Sequence, residues 1–238
     1  MSKIQNVKEL YEEADNVWPA NDKWHCYVHA KTTKIVEKWS QPIYSFLILN
    51  AGSGGTTYNI SGEMYHVDIC EKNIKNFDNY YVGDIYNLPY DDHFFDLIIC
   101  VGSVLNYCSD LNKVFKEFCR VLKNNGHVIL EYEKSNSAEF KKTNYYESNS
   151  FKTQFEYNNQ KHELNIYSSK YVNEHMSKNG FSLRKRYWLH VLSSMNLGKK
   201  TNYQKAAKWA FFDSIAQFLG CSNSANVIEL YEKINAYL

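Results

Sequence analysis

The sequence predicts an α/β fold built on a parallel β-sheet, and three observations support this expectation. Short apolar strands recur through residues 45–132, and loop or helical crossovers rather than tight turns separate them. A cluster of three glycines follows the first strand directly. An amphipathic helix then leads into a further apolar strand, which is the strand–helix–strand pattern typical of parallel sheets.

Two helices are expected before the sheet, over residues 7–14 and 22–39. The second carries Trp24, Val28, Ile35 and Trp39 on one helical stripe, and Pro42 ends it. Strands are then predicted over residues 45–49, 65–69, 80–83 and 95–101. The stretch between the glycines and the second strand is too short for a long helix.

The second half begins with the clearest helix, residues 109–123, capped by Ser109 or Asp110 and stopped by Gly126. A strand over residues 127–132 follows it. Residues 133–168 then turn polar and irregular before two alternating segments meet at an Asn-Asn turn, which predicts a β-hairpin insertion. The remaining predicted elements are a helix at 169–178 stopped by Gly180, a strand at 181–192, a helix at 203–219 and a strand at 227–234.

Composition and charge exclude several classes of protein. The 238 residues carry 27 Lys and Arg against 26 Asp and Glu, so no excess of positive charge is available to neutralise nucleic-acid phosphates. The longest near-apolar stretch, residues 97–105, is far shorter than the roughly 20 residues of a membrane-spanning helix, and the N-terminus lacks a signal-peptide core. We therefore expect a cytoplasmic protein that binds neither nucleic acid nor membranes.

Polar and glycine residues follow the predicted strands where a parallel sheet binds its ligands. Gly52, Gly54 and Gly55 come directly after the first strand and allow a ligand to approach the backbone closely. Asp68 ends the second strand, where a carboxylate in a nucleotide-binding βαβ unit holds the two ribose hydroxyls. Asp84 follows the third strand.

The order of these blocks resembles the class I S-adenosylmethionine-dependent methyltransferases, particularly their small-molecule branch. The resemblance is carried by the glycine turn, by Asp68, by the block GDIYNLPYDDHFFD and by EFCRVLKNNGHVILEYE, and it covers residues 43–132 in register. It implies a Rossmann-like, seven-stranded, mostly parallel sheet whose last strand is inserted antiparallel. It also implies S-adenosylmethionine as the cofactor.

The resemblance further implies a single methyltransferase domain over residues 1–238. Residues 1–41 would form a helical cap, residues 42–132 the cofactor-binding half, residues 133–169 an insertion or lid, and residues 170–238 the C-terminal half of the sheet. Cap and insertion would together enclose the acceptor pocket.

Site residues follow from the same resemblance. The expected cofactor contacts are Asn50, Gly52, Ser53, Gly54, Asp68, Ile69, Asp84, Ile85 and Gly102. The turn would cradle the methionyl part, Asp68 would bind the ribose, and Asp84 with the Ile85 amide would read the adenine that packs on Ile69. The chain departs from the family at Asn50, where an acid is usual, and at Thr56, where a third glycine is usual.

Candidate acceptor contacts are Ser103, Asn106 and Tyr107, which follow the fourth strand; for Asn106 and Tyr107 a packing pair at a helix entry is the alternative. The catalytic base stays unassigned, with His29, His25 and His190 as candidates against ordinary packing or surface roles. The two cap histidines have metal-ligand spacing but no evident third ligand. Because a sulfonium is already an activated leaving group, no metal is required.

The predicted function is methyl transfer to an oxygen or nitrogen of a small-molecule acceptor. A catalytically inactive, cofactor-binding partner subunit is the alternative that Asn50 keeps open, and a homodimer is also left open. An NAD(P)-dependent oxidoreductase is less favoured, because neither Tyr27/Lys31 nor Tyr157/Lys161 has the right context for a Tyr-x-x-x-Lys pair. The segment CVGSVLNYC lacks the Asp/Asn-Pro-Pro-aromatic motif with which nucleic-acid amino methyltransferases hold the exocyclic amine of a base. An amine of a DNA base is therefore disfavoured as the methyl acceptor.

Overall fold

A computed structural model describes residues 3–13, 23–44, 46–157, 160–193, 208–219 and 222–234. Within them, seven strands form one sheet in the order β3-β2-β1-β4-β5-β9-β8, and two strands form a separate hairpin. The sheet strands are β1 (Leu47–Ala51), β2 (Glu63–Asp68), β3 (Tyr80–Val82), β4 (Phe95–Cys100), β5 (Leu122–Glu133), β8 (Phe181–Leu189) and β9 (Asn226–Lys233). Strands β1 to β5 pair in parallel, whereas β9 is antiparallel to both β5 and β8. The predicted fold class is confirmed.

Helices cover both faces of the sheet, because its strands are apolar on both sides. The helices are α1 (Lys3–Glu13), α2 (Lys23–Ser40), α3 (Glu71–Ile74), α4 (Val104–Tyr107), α5 (Leu111–Val121), α6 (Ser169–Lys178) and α7 (Asp213–Phe218). On one face, α2 buries Ile35, Val36 and Trp39 against Ile48 and Leu97. On the other face, the apolar sides of α5 and α6 pack in a larger core with the alternate strand residues.

The connection from β1 to β2 contains no helix. Residues 52–62 form the glycine turn and an extended loop, as the short spacing predicts. Tyr58 and Ile60 of this loop pack beside α2, which covers the sheet face over this connection. The turn is therefore followed by loop backbone rather than by a helix N-terminus.

The helix predicted over residues 109–123 is α5, and Asp110 caps it by accepting a hydrogen bond from the Lys113 amide at 3.0 Å. The prediction that Gly126 stops this helix is wrong. The helix ends at Val121, because Leu122 is already extended and pairs with Phe95. Gly126 instead lies in β5, where a Cβ would come within 3.0 Å of the Asp96 carbonyl oxygen; the glycine permits close approach to β4 beside an irregularity in the ladder.

The predicted insertion is confirmed as a β-hairpin of β6 (Ser150–Tyr157) and β7 (Gln160–Tyr167); its Asn158-Asn159 turn lies outside the described residues. The helix at Ser169–Lys178 matches its prediction exactly in extent. The predicted strand at 181–192 is too long, since β8 ends at Leu189 and His190 has a positive φ. The last predicted helix is helical over its described part: residues 208–209 lead into a 3₁₀ turn, Ala210–Phe212, and then into α7. Residues 203–207 lie outside the described part.

Helix α1 contacts two of the helices that follow strands of the sheet. The Tyr11 hydroxyl of α1 donates to the Tyr107 hydroxyl of α4 at 3.3 Å, and the Glu12 carbonyl accepts from Lys72 of α3 at 2.6 Å. Because α3 follows β2 and α4 follows β4, the C-terminal turn of α1 lies near the carboxyl edge of the sheet.

Candidate active site

The candidate site lies at the carboxyl ends of the neighbouring strands β2, β1, β4 and β5. Parallel pairing aligns Ala51 with Val67, Asn50 with Ile99, and Cys100 with Leu130, so the four strand ends meet at one edge. This edge is where open α/β sheets bind ligands. The alternation of the strands directs Asn50, Asp68 and Glu131 to the same face, the one that α2 covers.

The glycine turn has a backbone that side chains would disfavour. Gly52, Gly54 and Gly55 all have positive φ, at +70°, +53° and +79°. The amides of Gly52 and Ser53 both donate to the Val67 carbonyl, at 2.8 and 3.0 Å, which fastens the turn to β2. At Gly52 a Cβ would lie 2.4 Å from a Val104 methyl group; the turn and α4 therefore approach closely only because this residue is glycine.

Asp68 connects the glycine turn to the end of β2. Its carboxylate accepts hydrogen bonds from the Gly54 amide at 2.7 Å and from the Cys70 amide at 2.9 Å. Burial raises the pKa of Asp68, while these backbone hydrogen bonds oppose the rise. An ionised carboxylate has about four lone-pair positions, so two remain after these contacts.

Asn50 and Ser53 hold the inner side of the turn. The Asn50 amide group donates to the Thr56 carbonyl at 2.8 Å, a bond that the acid usual in the resembled family could not make. The Ser53 hydroxyl lies 2.7 Å from His66 Nδ1, and the His66 ring stacks on Phe77 at 3.7 Å. Burial lowers the pKa of His66 to about 4, so the ring is neutral at pH 7.

Asp84 and Ile85 follow β3, and Ile69 follows β2. The Asp84 carboxylate accepts from the Tyr86 amide at 3.0 Å, and burial raises the pKa of Asp84. Ile69 is half-buried and follows Asp68 directly, whereas Ile85 is buried in the main core. The two acids therefore end the adjacent strands β2 and β3, as the sequence predicts.

The loop after β4 is fixed from β5 by a buried carboxylate. Gly102 and Ser103 both have positive φ, and their amides donate to Glu131 Oε2 at 2.8 Å each. The other Glu131 oxygen accepts from the Asn226 amide group at 2.5 Å. Glu131 is 3% exposed, and burial raises its pKa. Sequence reasoning missed Glu131 and Asn226.

Asn106 is not directed into open space. The Asn106 side chain is fully buried. Its amide group donates to the carbonyls of Glu133 and Asn165, at 3.1 and 2.8 Å. Its side-chain oxygen accepts from the Glu133 amide at 2.9 Å. Asn165 returns hydrogen bonds to the carbonyls of Asn106 and Cys108. This geometry favours the packing alternative for Asn106, because its hydrogen-bonding groups are used on the protein.

Tyr107 stands next to Asn106 and faces the cap. Its hydroxyl accepts from Tyr11, and the two rings make an edge contact at 6.0 Å. Burial and the charge of nearby Glu133 hold the pKa of Tyr107 well above its usual value. A hydroxyl that accepts from Tyr11 still has its own proton to donate.

The three candidate histidines lie in or beside the cap. His25 and His29 are half-buried one turn apart on α2, and burial lowers the pKa of His29. His190 follows β8 at the same edge of the sheet, is 2% exposed, and packs edge-on against Trp24 at 4.8 Å. Burial lowers the pKa of His190 to about 3. The described ring contacts of His190 are with Trp24 and Tyr27 of α2.

Two further features bear on ligand classes. Within the described residues, no group of three or more His, Cys, Asp or Glu side chains is arranged to hold a metal ion. In the same part of the chain, no helix has both the length and the apolar character needed to cross a membrane.

Comparison with known proteins identifies the segment that carries this site. Residues 47–130 match the family model described as methyltransferase domain. The segment is similar to demethylmenaquinone methyltransferase from Thermotoga maritima, at 40% identity over 75 residues, or 31% of this chain and 32% of that protein. An uncharacterised protein from Methanocaldococcus jannaschii is 34% identical over 93 residues, or 36% of this chain and 40% of that protein. The chain spans two fifths or less of the length of these curated relatives.

The whole fold also has solved counterparts. The structure is similar to that of geranyl diphosphate C-methyltransferase from Streptomyces coelicolor, solved with S-adenosyl-L-homocysteine, with a TM-score of 0.64 and 11% identity over 98% of this chain and 99% of that chain. The match of residues 47–130 to the methyltransferase-domain model and the fold shared with this solved enzyme agree with the class I S-adenosylmethionine-dependent methyltransferases. This confirms the resemblance, and the cofactor of the family is S-adenosylmethionine.

The residues at this edge of the sheet fit that cofactor. Asp68 keeps acceptor positions for hydroxyl groups, and Asp84 follows the next strand, β3. A methyltransferase cofactor has no pyrophosphate, so the missing helix after the turn removes nothing it needs. Glu131 and Glu133 could have been found from ILEYEK, because two acids separated by one residue at the end of a buried strand share one face.

Proposed function

We propose that this methyltransferase transfers a methyl group from S-adenosylmethionine to an oxygen or nitrogen atom of a small-molecule acceptor. The observation that carries the proposal is the Asp68 carboxylate, which joins the glycine turn to the end of β2 through Gly54 and Cys70. Two ribose hydroxyls can donate to its remaining lone pairs without displacing either amide. Residues 1–238 would act as the single domain predicted from the sequence.

Different parts of the cofactor would bind at different strand ends along the edge of the sheet. Gly52, Ser53 and Gly54 would hold the methionyl part, with the Asn50 side chain beneath the turn. Asp84 and the Ile85 amide would bind the adenine, which Ile69 would cover. His66 would act as a positioning residue, since its neutral ring holds the Ser53 hydroxyl.

The methyl group would lie near the loop after β4. Bound S-adenosylmethionine supplies a methyl group on a positively charged sulfur, which makes the sulfur a ready leaving group. Glu131 fixes the backbone of Gly102 and Ser103, so this part of the site is formed before a ligand enters. Ser103 and Tyr107 are the proposed acceptor contacts, and Asn106 supports them from the protein side.

A nicotinamide dinucleotide suits the same edge less well. That cofactor lays its pyrophosphate on the N-terminus of the helix that follows the glycine turn. Residues 52–62 contain no helix here. The missing helix dipole therefore favours a cofactor without phosphates.

A cofactor-binding but inactive partner subunit is the second candidate, because Asn50 replaces an acid. Asn50 donates to the Thr56 carbonyl, so the replacement stabilises the turn while removing a negative charge from the site. Formation of S-adenosylhomocysteine from S-adenosylmethionine in the presence of pooled hydroxyl and amine acceptors supports the enzyme. Tight cofactor binding with no product from any pool supports the partner subunit.

Calorimetric titration tests the cofactor site directly. We expect S-adenosylmethionine to bind and NADH not to bind. Asp68→Ala should weaken binding by about 2 kcal/mol, or roughly 30-fold, because both ribose hydrogen bonds are lost. Asp78→Ala, a change at an exposed acid beside the same strand connection, should leave affinity unchanged. Equal affinity in wild type and Asp68→Ala, or binding of NADH in place of S-adenosylmethionine, would contradict the proposal.

A further inference from the structure

The carboxyl end of β5 carries a second acid beyond Glu131. Glu133 lies two residues further along the strand and therefore projects from the same face of the sheet. In the register of β5 with β9, Glu133 pairs with Asn226, the residue that also holds Glu131. Since Glu131 already fixes the Gly102–Ser103 loop, Glu133 stands one step further out, toward the proposed acceptor.

The backbone of Glu133 is held rigidly. Both its amide and its carbonyl are hydrogen-bonded to the Asn106 side chain, at 2.9 and 3.1 Å. Asn106 is in turn bonded to Asn165 of β7 in both directions. The position of this acid is therefore fixed by β5, by α4 and by the insertion together.

The titratable groups that interact electrostatically with Glu133 are acidic or neutral. They are Glu131 from β5, Glu139 from the insertion, and Tyr107 from α4, whose hydroxyl accepts from Tyr11 of α1. The adjacent Lys134 alternates to the opposite face, where its ammonium group is hydrogen-bonded to Asn136 and Ser222 and lies over the Trp188 ring. Among the described residues, no side chain donates a hydrogen bond to the Glu133 carboxylate.

The charged form of Glu133 is consequently unfavourable in the protein alone. Burial and the two nearby carboxylates raise its pKa from 4.5 to about 8. A positive charge placed at the neighbouring Gly102–Ser103 loop would offset this cost and favour ionisation. The sulfonium of S-adenosylmethionine carries such a charge, whereas the thioether of S-adenosylhomocysteine does not.

We propose that Glu133 is the catalytic residue that accepts the proton of the methyl acceptor, and that the acceptor is a hydroxyl or a protonated amine. This inference rests on the proposed function. The acceptor atom gives its proton to Glu133 and its electron pair to the methyl carbon; the carbon–sulfur bond breaks, and its electrons stay on sulfur. The sulfur loses its positive charge as Glu133 becomes neutral, so the product complex contains neither charge. The acidic surroundings also disfavour acceptors with an anionic group beside the reacting atom.

Proton release on cofactor binding provides a test that needs no acceptor. Titration calorimetry at pH 7, in two buffers of different ionisation enthalpy, counts the protons released by S-adenosylmethionine and by S-adenosylhomocysteine. We expect the sulfonium to release between about half a proton and one proton more than the thioether. Glu133→Gln should abolish this excess, and Glu174→Gln, at an exposed acid on α6, should retain it.

The outcomes separate this inference from the proposed function. An equal proton count for the two cofactors, or an excess that survives Glu133→Gln, would overturn the role of Glu133 while leaving cofactor binding intact. Absence of S-adenosylmethionine binding in wild type would instead overturn the proposed function. If Glu133→Gln does not fold, the same titrations of the wild type at higher pH test the inference. Well above pH 8, Glu133 is ionised before the cofactor binds, so S-adenosylmethionine should release no more protons than S-adenosylhomocysteine. An excess that persists at that pH would overturn the inference.

Discussion

Single residues at the sheet edge decide how closely two chain segments can approach. Gly52 lets the turn after β1 pack against Val104 at the start of α4, and its φ of +70° belongs to the region that glycine adopts without strain. Asp68 then uses two backbone amides to keep this turn in contact with β2. The candidate cofactor site is thus formed largely by backbone, with a few side chains holding it.

Replacing Gly52 by alanine should damage both the fold and the site. The added Cβ would meet two Val104 methyl groups at 2.4 and 2.7 Å, in addition to the positive φ. We expect about 2 kcal/mol lower stability against urea and a loss of most of the S-adenosylmethionine affinity. Gly180→Ala is a matched control, because its φ is +82° but its nearest neighbour is 3.9 Å away. Gly180→Ala should lower the free energy of unfolding by about 1 kcal/mol through backbone strain alone. The affinity for S-adenosylmethionine should stay unchanged.

The sequence predicts some site residues better than others for a physical reason. Asp68 and Asp84 could be located because Asp68 ends β2 and Asp84 comes two residues after β3, and strand ends meet at one edge of a parallel sheet. The internal bonding of Asn106 could not be foreseen, because its partners Glu133 and Asn165 are distant in sequence and come together only through the hairpin. The contact between His66 and Ser53 depends in the same way on the pairing of β1 with β2.

At the scale of elements, one buried side chain joins α4, β5 and the hairpin. Asn106→Ala would leave the backbone groups of Glu133 and the carbonyl of Asn165 without these partners inside the protein. We expect a loss of about 2–4 kcal/mol in the free energy of unfolding. Urea denaturation measures it, and Asn112→Ala, at an exposed residue of α5, should change stability by less than about 0.5 kcal/mol. Equal stabilities of the two variants would show that Asn106 does not hold these elements together.

Element types were easier to predict than element ends. The hairpin could be recognised because residue alternation and a turn signal are local properties. The end of α5 could not, because Leu122 leaves the helix to pair with Phe95, which is a long-range contact. Gly126 looks like a helix stop in the sequence, yet its role comes from the neighbouring strand, where the Asp96 carbonyl leaves no room for a side chain.

The stability of the whole molecule should depend on pH through Glu133. Its pKa is about 8 in the folded protein against 4.5 ordinarily, so between these values the folded state binds more protons than the unfolded state. Stability from this group therefore falls as pH rises from 4.5 to 8. Glu133→Gln should remove this part of the decline, giving a higher Tm than wild type at pH 9 and little difference at pH 5. A wild-type Tm advantage that is constant across this range would contradict the assignment.

The central claim for the whole molecule is that its sheet edge binds one adenosine between the ends of β1, β2 and β3. A crystal structure with S-adenosylhomocysteine tests it most directly. We predict ribose hydroxyls within hydrogen-bonding distance of Asp68, adenine between Ile69 and the Asp84–Ile85 backbone, and the sulfur facing Gly102. A nucleoside bound elsewhere, or density for the ligand absent from this edge at saturating concentration, would contradict the account.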